Sequence, residues 1–168
     1  MAEFFIDGPY KVPFEQKAGG RVILYNEFWT QTDELQELGR ERGCYVFAIR
    51  AGKGATPIYV GKATKSFKQE CLNAANRHKF SDGMADYKKG TPVLYFVRHP
   101  KQKGKTNSKQ IGEIENFLIQ NAAVKTPGLQ NLHGTDAPKW TIRGVIRSGK
   151  GKPKKAESEF KKLLGLTG

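Results

Sequence analysis

Apolar and polar residues follow two rhythms along this chain, and the changes between them mark its elements. RVILYNEFW at 21–29 has the β-branched and aromatic content of a strand. Thr30–Arg42 follows as a helix, entered through Thr30-x-x-Asp33, with Leu35 and Leu38 three apart. CYVFAI at 44–49 and PIYVG at 57–61 are short β-rich runs separated by the turn-forming RAGKGAT, which predicts an antiparallel hairpin. Side chains alternate across a strand, so Tyr45 and Phe47 point to one face and Cys44 and Val46 to the other, while Tyr59 shares a side with Gly61. Ser66-x-x-Gln69 matches a capping box and starts a helix running toward His78 or Phe80, where Ser81-Asp82-Gly83 stops it. TPVLYFVRH at 91–99 reads as a buried strand. Asn107–Ala123 reads as a helix with Ile111, Ile114, Leu118 and Ala122 on one side, WTIRGVI at 140–146 as a further strand, and Ala156–Leu164 as a closing helix.

Hairpin-linked strands, rather than strict alternation of strand and helix, predict an α+β fold: a small, mostly antiparallel central sheet flanked by helices, in a single compact domain. The chain has 168 residues, 38% of them hydrophobic and 11% aromatic, which is enough for one core. Residues 1–42 are expected to form an N-terminal extension packing on the domain, its first twenty residues an aromatic, proline-punctuated clasp. Residues 43–131 form the core, and 132–168 a basic strand-and-helix extension of the same domain.

Charge narrows the function. Twenty-nine Lys and Arg against 16 Asp and Glu give a net charge of +13, and the excess is uneven: residues 1–43 carry 8 acids and 5 bases, the remainder 8 acids and 24 bases. A field of this sign attracts polyanions, so nucleic acid is the expected partner, with DNA favoured over RNA. An anionic membrane surface is the lesser alternative, because no basic amphipathic helix dominates. No apolar run is long enough to span a bilayer and the N-terminus lacks a signal-peptide pattern, so a cytoplasmic location is expected. Cys44 and Cys71 have no partner motif and read as reduced core thiols.

Gly43-Cys44-Tyr45, then Tyr59-Val60-Gly61 followed by Lys62-Ala63, resembles the GIY-YIG nuclease domain. Two later landmarks follow in order: Glu115-Asn116-Phe117-Leu118-Ile119 and Pro127-Gly128-Leu129-Gln130-Asn131. The resemblance covers about residues 43–131 and implies a metal-dependent endonuclease. Its implied site has Glu115 holding one Mg²⁺ or Mn²⁺, Tyr45 activating or positioning the attacking water, and Tyr59 hydrogen-bonding beside it. Gly61, Lys62 and Asn131 complete the substrate-binding surround, Asn131 by orienting local structure. A single carboxylate suffices for such an ion, which prefers hard oxygens and keeps several waters. Glu115 lies at the edge of its helix's apolar stripe, where it can reach a surface site, whereas Glu113 on the opposite side should be solvated.

One position departs from the family's pattern. The arginine that members carry early in the helix after the second tripeptide aligns with Glu70, and a carboxylate cannot replace a guanidinium at a phosphate. Lys68, Arg77 and Lys62 are the cations able to substitute, and His78 stands where related sequences often have a histidine. The same fold without turnover, a nucleic-acid-binding module, is the alternative expectation. Gly144 to Lys150 imitates a P-loop but has Gly151 where Ser or Thr is required, and His78, His99 and His133 lack metal-ligand spacing. No base-reading helix-turn-helix or finger is visible, so weak sequence preference is expected.

Overall fold

A computed structural model of the chain describes residues 2–85, 87–100, 105–124, 140–146 and 151–166. In chain order its elements are β1 (Ala2–Lys11), β2 (Phe14–Lys17), β3 (Gly20–Ile23), α1 (Tyr25–Thr30), α2 (Asp33–Leu38), β4 (Gly43–Ala51), β5 (Gly54–Ala63), α3 (Phe67–Glu70), α4 (Ala74–Met84), β6 (Thr91–Arg98), α5 (Ser108–Val124), β7 (Trp140–Ile142) and α6 (Lys155–Leu163). The fold is α+β. Its main sheet runs β5-β4-β6-β1-β7, antiparallel except for the parallel pairing of β1 with β7, and β2 with β3 forms a separate ribbon.

Helices cover both faces of this sheet, which explains why β4 and β6 are apolar at nearly every position instead of alternating with polar residues. Cys44, Val46 and Ala48 of β4, with Val93, Tyr95 and Val97 of β6, join Ile111, Ile114 and Leu118 of α5 and Phe160 of α6 in one buried cluster. Tyr45, Phe47 and Ile49, with Leu94 and Phe96, join residues of α1 to α4 in the other. The faces predicted for β4 are therefore those observed. Gly43 opens β4 at a φ of 147°, and any side chain there would collide with the Val97 carbonyl of β6.

The N-terminal arm differs from the expected clasp. It is strand β1, hydrogen-bonded on both edges between β6 and β7. The strand predicted over 21–29 ends at Ile23, and Tyr25–Thr30 is helical. Helical spacing buries Phe28 and Trp29 together, and the amide of Phe28 bonds the carbonyl of Leu24. The helix predicted over Thr30–Arg42 is shorter, with Thr32 rather than Thr30 as its cap: the Thr32 hydroxyl accepts from the Leu35 amide at 3.1 Å, while Thr30 bonds back to Asn26 and ends α1.

Ser66 does cap a helix, accepting from the Gln69 amide at 3.2 Å, but the single predicted helix is two. Helix α3 stops after Glu70, and Asn73 caps a second start. Nor does Ser81-Asp82-Gly83 stop α4, which continues to Met84 with Gly83 pressed against Ile58. The 140–146 strand is also shorter than predicted, because the chain turns after Ile142 and bridges back to it at Ile146. Trp140 is a core anchor, and its indole donates to Glu113 at 2.9 Å, so Glu113 has a protein partner. No helix among the described residues is long and apolar enough to cross a membrane.

Candidate active site at the β5 edge

Among the described residues, strand β5 forms one edge of the main sheet and pairs with β4 alone. It contains Pro57, tolerated there because an edge strand has a side on which no donor is needed. The register slips beside it: Phe47 faces Tyr59 while Ala48 faces Pro57, leaving Ile58 as an extra residue. Beyond this bulge, Tyr59 and Gly61 share the side facing α4, and Val60 and Lys62 share the side facing α5.

On the α4 side, Tyr45 sits directly opposite Gly61, and its ring occupies the space where a side chain at Gly61 would stand. Gly61 is therefore required by packing. The Tyr45 hydroxyl accepts a hydrogen bond from Asn76 Nδ2 at 2.8 Å, and the same amide nitrogen donates to the carbonyls of Glu70 and Cys71 where the helix breaks. Tyr45 is only 2% exposed. Burial raises its pKa well above the ordinary 10.0, neighbouring Cys71 and Tyr59 add to the shift, and the Asn76 bond partly opposes it. At neutral pH Tyr45 is a neutral phenol that can position a partner but not take a proton.

Tyr59 is half-buried. Its ring centroid lies 6.3 Å from that of Tyr45 and 5.5 Å from that of Phe80, and the exposed Lys79 ammonium stands 5.0 Å from it. On the α5 side, Lys62 Nζ is 3.3 Å from a Glu115 carboxylate oxygen, with the lysine side chain 48% exposed and the glutamate 19%. Cys44 lies beneath, its thiol 3.3 Å from the Ile111 carbonyl; burial raises its pKa, and the Glu115 charge adds to the rise.

The predicted residues thus form two groups on opposite sides of one strand: Tyr45, Tyr59 and Gly61 facing α4, and Lys62 with Glu115 facing α5. Of the three substitute cations, Lys62 alone lies at this site, and Lys68 and Arg77 lie elsewhere. The Lys68 amide bonds the Gly39 carbonyl, placing that residue against the end of α2. Arg77 bonds the Leu72 carbonyl at 2.8 Å and stacks its guanidinium 4.1 Å from the Tyr25 ring centroid, toward α1. His78 is exposed on α4. The Glu70 carboxylate accepts from the Lys65 amide at 2.7 Å and so closes the turn into α3. Asn131 and the whole Pro127–Asn131 landmark lie outside the described residues.

Asn76 and Lys79 were not predicted from sequence. The only local signal is the Asn73-x-x-Asn76 cap, and it says nothing of Tyr45. As a cation site, the α5 side offers Glu115 alone, and no group of three or more His, Cys, Asp or Glu suited to a metal occurs among the described residues. Such a donor set fits a hard cation whose remaining positions are filled by water or substrate phosphate oxygens. No protein-family model, curated protein or solved structure matches this chain.

Proposed function

We propose that this protein is a metal-dependent endonuclease of the GIY-YIG type, hydrolysing phosphodiester bonds of nucleic acid, DNA in preference to RNA, at the β5 edge. One observation carries this reading: the hairpin that seats Tyr45 on Gly61 brings Tyr59 and Lys62 to a sheet-edge strand where Lys79 of α4 and Glu115 of α5 meet them. Glu115 would hold a Mg²⁺ or Mn²⁺ ion, which supplies positive charge to the phosphate oxygens when bound.

The chain's own residues divide the remaining work. Lys62 neutralises Glu115 in the free protein and turns to a phosphate oxygen when substrate arrives, freeing the carboxylate. Tyr59, with Lys79 over its ring, offers a hydroxyl to the reacting phosphate or its water. Tyr45, locked by Asn76 and Gly61, fixes where Tyr59 stands. The net charge of +13 draws the polyanion to the surface without selecting its sequence.

Supercoiled plasmid incubated with Mg²⁺ or Mn²⁺ should be nicked by the wild-type protein and not by Glu115→Ala. Salt-sensitive binding with no cleavage in either metal would support the second reading, a module that binds nucleic acid without turnover. Glu70 and Arg77 favour that alternative, since the first occupies the family's arginine position and the second is directed to Tyr25.

A further inference from the structure

A groove of about 340 Å³ runs along the β5 edge on the α5 side, lined by Pro57, Ile58, Tyr59, Val60, Ile119 and Ala122. Ile119 is 43% exposed and, with buried Val60 beside it, continues the apolar lining out to the surface. The groove adjoins the candidate site. Ile119 lies one helical turn beyond Glu115, roughly 6 Å along α5, and Val60 lies two residues before Lys62, roughly 7 Å along β5. An ion pair therefore stands at one end of an apolar slot.

We propose that this slot is a nucleobase subsite: a phosphate held by Lys62 places the base of an adjoining nucleotide against Ile119, Val60 and Ala122. The inference rests on the nucleic-acid reading above and narrows it to substrates with an unpaired nucleotide, because a base stacked inside a duplex cannot enter a side slot. Charge supports this occupant, with exposed Lys62 at the end of an otherwise apolar lining. A peptide strand added to the edge is disfavoured, since Pro57 lacks a donor and the Ile58 bulge breaks the ladder such a strand would extend.

The test is fluorescence anisotropy at low salt in EDTA, where cleavage does not interfere. The probes are a labelled single strand, the matched duplex and the same strand with abasic positions, with 2-aminopurine emission followed in a parallel strand. The intact single strand should bind about tenfold more tightly than the duplex or the abasic strand, with a change in 2-aminopurine emission. Ile119→Gln, which adds no charge beside Lys62, should remove most of that advantage and leave duplex affinity unchanged, with Ile119→Ala as a second variant should the first fold poorly. Equal binding of single strand, duplex and abasic strand, or an advantage that survives both variants, overturns the subsite while leaving plasmid cleavage to decide the proposed activity. No binding of any form at low salt overturns both.

Discussion

The two sides of strand β5 differ in how their functional side chains are held. Toward α4, Tyr45 is buried, hydrogen-bonded and wedged onto a glycine, so its position is a consequence of core packing. Toward α5, Lys62 and Glu115 meet near the surface through one ion pair of side chains free to rearrange. Substitutions on the first side report on the fold before they report on chemistry. Only the second side can be altered with the scaffold intact.

The largest expected effect is collective and draws on the buried groups of both faces of the sheet. Tyr45, Cys44 and Cys71 have pKa values raised by burial well above 10.0 for the phenol and 9.0 for the thiols, and Tyr95 is pushed up to about 12. Each keeps its proton in the folded chain after the unfolded chain has lost it. Their contribution is therefore complete below the unfolded values and is lost as pH rises through the folded ones. Thermal melts from pH 7 to pH 11 should show Tm falling steadily beyond about pH 9 to 10. A flat Tm across that range would mean that the tyrosine is far more solvated than its surroundings indicate.

Tyr45→Ala should cost about 3–5 kcal/mol in urea titrations, since it empties a site packed on both Gly61 and the α3–α4 break. Gly61→Ala should cost about 1–3 kcal/mol, because the added methyl group must displace the Tyr45 ring. Tyr45→Phe keeps the packing and removes one acceptor, and a loss of about 1 kcal/mol is expected, because Asn76 retains its two carbonyl partners. Lys62→Met should change stability by less than about 0.5 kcal/mol, since a half-exposed ion pair contributes little. The same change should tighten Mn²⁺ binding measured by paramagnetic resonance, because Glu115 loses its competing cation. Unaltered Mn²⁺ affinity would show that Lys62 does not restrain the carboxylate.

How much of this was legible in the sequence follows from the range of the contacts involved. The alternation in CYVFAI gave the correct faces for Cys44, Tyr45, Val46 and Phe47, because period-two geometry is local. Ser66 was readable as a cap for the same reason. The helix break after Glu70 was not, since the carbonyls of Glu70 and Cys71 turn to the Asn76 amide, which also reaches the distant Tyr45 hydroxyl. Arg77 looked like a free cation until Tyr25 proved helical and placed its ring beneath the guanidinium. The Lys62–Glu115 contact joins residues 53 positions apart, and proximity in sequence offers no hint of it.

The most direct test of the central claim is single-turnover cleavage of an end-labelled oligonucleotide across a Mn²⁺ titration, with wild-type and Glu115→Ala proteins side by side. A hydrolytic site at the β5 edge predicts cleavage that saturates with metal in the wild type and is lost in the variant although the variant still binds the DNA. Cleavage that persists in EDTA, or proceeds equally in Glu115→Ala, would contradict it.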